Sequence, residues 1–205
     1  EQKFASDSVD KNGFNAVMLA THGEKDATVA LLVEKYSADL SHKTNSGNSI
    51  DHVASWHPEN VVNIEYIRNV TEQNHKLLLA ASTGDVDSLK EALENGAQRH
   101  IRNEEGMDAL LLAAVYGQND AIDYLINEEK FASDSVDRNG YSAVMLAAHG
   151  NRDSTVNHLT NFHSADLSCK NNAGISAKEI VDNMVRNNIT SVVQAHGDES
   201  PSSVF

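Results

Sequence analysis

The 205-residue sequence holds 40% hydrophobic and 22% charged residues, enough apolar content to build a core in one or two domains. Its 30 acidic against 16 basic residues give a formal charge of −14, which excludes a general binder of duplex nucleic acid or anionic membrane, because both must be met with positive charge. The longest apolar runs, 77–81 and 109–116, are far too short to cross a bilayer, and the one cysteine, Cys169, cannot close an internal disulfide, as expected of a reducing, intracellular (cytoplasmic) setting.

Residues 1–8 align with 128–135, so the sequence is expected to open inside a repeat and to be a piece of a longer protein. Residues 3–47 and 130–174 are near copies, identical at 29 of 45 positions with an offset of 127. A shorter period lies inside this one. Gly13 to Gly47, Gly106 to Gly140 and Gly140 to Gly174 are each 34 apart, and the pairs Ala80–Ala81, Ala113–Ala114 and Ala147–Ala148 keep the same beat. Apolar residues at helical spacing, Val29 with Leu32 and Leu89 with Leu93, follow each Ala-rich segment. Two short helices per 33–34 residues mean a stacked solenoid, since no helix of that length is stable alone.

Six units are expected, over 10–43, 44–70, 71–102, 103–136, 137–170 and 171–197. The second is degenerate: Ala54 and Ala80 are only 26 apart, so the turn between units two and three is largely missing. Thr71 is expected to cap the next helix directly, with Asn74 in its first turn and Trp56 packing into the space the turn leaves. The sixth unit ends in a polar helix carrying Asn183, Asn187 and Asn188, and 198–205 reads as a disordered tail.

The stretch N-E-E-G-M-D-A-L-L-L-A-A-V-Y-G-Q-N-D-A-I-D-Y-L-I, at 103–126, resembles an ankyrin repeat; Gly106, Leu110, Ala113, Ala114, Gly117, Ile122 and Leu125 fall on that family's structural positions. LLLAASTGDVDSLKEALENGA, at 77–97, is similar to its helix–turn–helix half. The resemblance implies an all-α solenoid of about six helix-turn-helix repeats with short β-turn fingers. It departs at the family's T-P-L-H segment, which reads N-A-V-M at 15–18, D-A-L-L at 108–111 and S-A-V-M at 142–145. Fewer hydrogen bonds between neighbouring units are expected in consequence.

No motif for chemistry stands out. The D-x-N-G turns at 10–13 and 137–140 fail as calcium loops, because Leu19 and Leu146 occupy the position that needs a bidentate Glu. His52 and His57, and likewise His158 and His163, are five apart, a spacing that puts each pair on different sides of a helix, so no metal is expected. The counterpart of Cys169 in the first copy is His42, which argues against a catalytic thiol. No cofactor and no enzymatic activity are expected.

The best functional signal lies at the turns. The residues after the turn glycines are Phe14, Asn48, Met107, Tyr141 and Ile175, four of them large and apolar where the family tolerates anything. Together with Tyr116, Arg138 and His149 they are expected to bind a partner on the concave finger and inner-helix face; Phe14, Met107, Tyr116, Arg138, Tyr141, His149 and Ile175 are the candidate residues. The acidic charge points to a protein partner with a basic patch and to a monomeric chain. The resemblance extends to repeat arrays of host-directed effectors, which would place the chain in a host cytoplasm. Its rival is a targeting domain of a larger enzyme whose catalytic part lies outside the sequence.

Overall fold

The structure, a computed structural model, describes residues 8–36, 38–57 and 61–186, with side chains inside the fourth helix described from Glu65 onward. Its helices are α1 (Ala16–His22), α2 (Asp26–Glu34), α3 (Ile50–Ala54), α4 (Val61–Thr83), α5 (Val86–Glu94), α6 (Ala109–Tyr116), α7 (Asn119–Asp123), α8 (Ala143–His149), α9 (Asp153–Phe162) and α10, helical over 177–186. A π-helical turn, Tyr124–Glu128, continues α7. The β content of the described residues is confined to isolated antiparallel bridges, Val9 with Asn15, Val136 with Ser142 and Lys170 with Ser176, which close the hairpin-like fingers. Two compact units result: Glu1–Ala81 with Asp85–Glu104, and Ser82–Gly84 with Glu105–Phe205.

In the first unit the finger forms because Asp10 accepts the backbone N–H groups of Asn12 and Phe14 at 2.9 Å each, a carboxylate-stapled turn. Gly13 lies at φ +84°, and a Cβ there would meet the backbone nitrogen of Asn45 at 2.6 Å. The close approach is used: Asn45 donates its N–H to the Asn12 carbonyl (3.0 Å) and its side-chain amide to that of Lys11 (3.1 Å). Successive fingers are thereby stitched together. Asn15 then caps α1, its side chain accepting the Met18 N–H. Below the fingers, Val17, Met18, Val29, Val33, Ile50, Ile67 and Val70 form one buried cluster.

The missing turn between the second and third pairs is resolved differently from expectation. Helix α4 runs unbroken for 23 residues across the anticipated boundary, so Thr71 sits in mid-helix and caps nothing. Its hydroxyl has no hydrogen-bond partner among the described residues. The physical reason is composition: 61–83 contains no Gly or Pro, and without a breaker the outgoing helix of one pair continues as the incoming helix of the next. Asn74, buried on α4, replaces part of the lost finger. It accepts the N–H of Gln98 (2.6 Å) and donates to its side-chain oxygen (3.0 Å), and Gln98 in turn reaches the carbonyl of Ala38 at 2.9 Å.

In the second unit, α6 buries every residue from Ala109 to Ala114, held between an Asp108 cap and the left-handed Gly117. Helix α8 packs against it. The fingers repeat the first unit's stitching: Arg138 donates its N–H to Glu105 (3.2 Å), and Asn172 donates to the carbonyls of Asn139 and Arg138 (2.9 Å each). A Cβ on Gly140, at φ +79°, would stand 2.6 Å from the Asn172 side-chain oxygen. At the opposite ends of the helices, Gln118 bonds Ser82 (3.0 Å) and Arg152 bonds Val115 (3.1 Å). Helix α10 starts in a reciprocal cap between Ser176 and Glu179. Asn183 lies on it; Asn187, Asn188 and the expected tail at 198–205 lie outside the described residues.

Candidate functional site

Six of the seven anticipated partner-binding residues belong to the second unit. Met107, Tyr141 and Ile175 each follow a turn glycine, on fingers hydrogen-bonded one to the next as described above. Tyr141 is half-buried, its ring 5.4 Å from that of His149, which is exposed near the end of α8. Ile175 is 41% exposed and Tyr116, the last residue of α6, is 50% exposed. Arg138 keeps its charged end in solvent while its stem lies over Gly106. The finger over 137–140 is hydrogen-bonded to the fingers before and after it, so Tyr141 stands on a support held from both sides.

Phe14 belongs to the first unit and has different surroundings. It packs onto the buried cluster, with its ring 6.5 Å from His22 and 6.0 Å from Trp56. Trp56 also meets His22 and His52 edge-on, at 5.7 and 5.8 Å. Trp56 therefore packs back toward the first finger, where the sequence led us to expect it beside the missing one. His57 completes the group, bridging Glu24 (3.0 Å) and His22 (3.2 Å) through its two ring nitrogens.

A second group was not foreseen. His158 and His163 both direct Nε2 at the same oxygen, Oδ1 of Asp123, at 2.8 and 2.6 Å. The five-residue spacing misled because α9 stops at Phe162. His163 is the residue after it, at φ −114°, and Ser164 follows in the left-handed region at φ +52°. The chain turns there, and the His163 ring swings back to the side of His158, the ring centroids 5.3 Å apart. Burial pushes the Asp123 carboxyl up, but the bonds from both histidines outweigh it and hold the group below the usual carboxylate range. One signal was readable in advance: the first copy has Leu31 and Tyr36 at these two positions, so both histidines are substitutions within a near-identical frame.

Among the described residues no helix is long and apolar enough to cross a membrane. A family model described as ankyrin repeats in three copies matches residues 77–171. A protein of Rickettsia felis named as an ankyrin repeat protein is 38% identical over 60 residues, which are 28% of this chain and 91% of that protein. Another from the same organism is 40% identical over 50 residues, 24% of this chain and 79% of its own length. With the stitched fingers, the paired helices and these matches in agreement, the chain belongs to the ankyrin-repeat family, an all-α fold that serves generally as a protein–protein interaction module.

Proposed function

We propose that this chain is a binding module, without catalysis of its own, and that a protein partner docks on the finger and inner-helix face of the second unit. The observation that carries the reading is the pairing of Tyr116 and Ile175, large apolar side chains half in solvent, with a backbone that hydrogen bonds hold in place. Rigid exposed aromatics lose little entropy on binding, which is why they anchor interfaces. Met107, Tyr141 and Arg138 belong to the fingers, while Tyr116 and His149 end the inner helices, with the His149 ring against that of Tyr141. Phe14, already packed on its own core, is a support residue in this reading. With repeats over 103–136, 137–170 and 171–197, Met107, Tyr141 and Ile175 each stand fifth in their repeat.

The charge of −14 favours a partner with a basic patch, steered to the face and released as salt rises. An intracellular, host-directed role is the finer form of the proposal, with the Rickettsia felis origin of both named relatives in its support.

The test compares partners retained from cell lysate by the parent chain and by a Tyr116→Ala/Ile175→Ala variant with unchanged circular dichroism. A protein retained by the parent and lost by the variant supports the finger face. Identical retention by both, or none by either, refutes it.

A further inference from the structure

We propose that Asp123, His158 and His163 form a binding site for one divalent transition-metal ion of the zinc type. The three side chains come from two neighbouring helix pairs of the second unit: Asp123 ends α7, His158 lies on α9 and His163 follows it. Their ligand atoms all lie within 4.8 Å of one another. Two imidazole nitrogens and a carboxylate oxygen are the donor set of borderline cations; calcium and magnesium, which take oxygen ligands, are poorly served.

The geometry needs little adjustment. Zinc sits about 2.0–2.2 Å from such ligands, so tetrahedral ligand atoms are roughly 3.3 Å apart. The two Nε2 atoms stand 2.8 and 2.6 Å from Oδ1, so each nitrogen–oxygen separation must open by about half an ångström, a small rotation for a carboxylate, with the two nitrogens within 4.8 Å of each other. On metal binding each imidazole presents a neutral Nε2 lone pair, its proton moving to Nδ1 or to solvent, and the carboxylate stays ionised. The His163 and His158 side chains are 5% and 18% exposed and that of Asp123 42%, so the imidazoles are held by their surroundings and the carboxylate side is open for a fourth, water ligand. The Phe162 ring packs on His158 at 5.1 Å and restrains it. The π-helical turn that begins immediately after Asp123 sets the end of α7 apart from the regular helices around it.

The first copy of the repeated block supplies a control. It carries Leu31 and Tyr36 in place of the two histidines and still forms the corresponding helix, α2. The histidines are therefore not needed for the helix pair to fold, and the variant His158→Leu/His163→Tyr should remain folded.

The test titrates the full chain with zinc chloride by calorimetry and with cobalt(II) by visible absorption. The expected result is one ion per chain, an intense four-coordinate cobalt spectrum, and a rise in thermal midpoint on adding zinc. His158→Leu/His163→Tyr and the isosteric Asp123→Asn should each weaken binding by about tenfold or more and abolish the rise. His57→Ala, which removes the first unit's histidine bridge, should leave uptake unchanged. Stoichiometric binding that survives in both site variants, or is lost in His57→Ala, overturns the proposal. So does the absence of a bound ion in the parent at micromolar zinc.

Discussion

The near-copied blocks 3–47 and 130–174 share a turn but differ in how the helix after it is tied down. Asp10 and Asp137 staple their fingers through the same two N–H groups, and both blocks place a non-glycine residue in the left-handed region at the helix–helix turn, Glu24 at φ 55° and Asn151 at φ 53°. In the first copy Asn15 caps α1 and also donates to the carbonyl of Asp39 at 3.0 Å, while His42 reaches the Gly13 carbonyl at 2.8 Å. In the second copy Ser142 makes no side-chain cap bond; its hydroxyl meets the Cys169 thiol at 3.6 Å, and that thiol takes the Asp166 carbonyl, counterpart of Asp39. Two positions have changed together, Asn15 with His42 and Ser142 with Cys169. The lesson is that the frame of these repeats is set by the turn and the buried apolar residues, while the polar ties between them can be exchanged as sets.

If that division holds, the largest and most equal losses come from the shared core. Met18→Ala and Met145→Ala each remove a fully buried side chain at matching positions, and each should cost about 3 kcal/mol in urea unfolding. A clear inequality would mean that one copy's core has room to collapse and the frames are not equivalent. Next is the place where a finger has been lost. Asn74→Ala strips Gln98 of two hydrogen bonds inside the first unit and should cost about 2 kcal/mol, more than an ordinary cap. An effect below half of that would show that Gln98 finds water, and that α4 needs no substitute for the finger. The polar ties themselves come third. Asn15→Ala should lose about 1–2 kcal/mol, because both ends of the side chain are bonded and it is buried. Ser142→Ala should lose about 0.5 kcal/mol or less, having no cap bond to give up. Equal losses would erase the distinction between the copies.

How much of this was legible in the sequence follows from the range of each interaction. The period, the glycine turns and the Ala-rich inner helices were readable because the residues that make them, such as Asp10 with Gly13 and Ala113 with Ala114, are close together in the chain and recur. The fusion of two helices into α4 was not, because a missing turn leaves two outcomes, a new cap or a continued helix. Thr71 looked like the former, and the choice rested on the absence of any breaker over 61–83. Asn74 reads in the sequence as a first-turn residue, but its partner Gln98 is 24 positions away and nothing local announces it. The Asp123 group was missed for the same reason twice over: its histidines converge only if α9 ends at Phe162, and their carboxylate lies 35 and 40 positions earlier. Exposure of the residues after the turn glycines was not legible either: Ile175 is exposed, whereas Phe14, Met107 and Tyr141 are half-buried, because such a side chain can pack back on its own unit.

A similarly small effect is expected at the left-handed turn residue, where the copies differ in side chain but not in backbone. A left-handed φ strains most side chains, and asparagine tolerates it better than glutamate. Asn151→Glu should therefore cost about 0.5 kcal/mol, as nothing in the second copy compensates. The reverse change, Glu24→Asn, should be close to neutral, because the relief of strain is offset by loss of the 3.0 Å contact between Glu24 and His57. Removing the histidine first separates the two contributions: in a His57→Ala background Glu24→Asn should stabilise by about 0.5 kcal/mol, giving a coupling of similar size in the double-mutant cycle. If Glu24→Asn stabilises equally in both backgrounds, the His57 contact contributes nothing. The choice of glutamate in the first copy would then have no structural reason, and the strain at φ 55° would stand uncompensated.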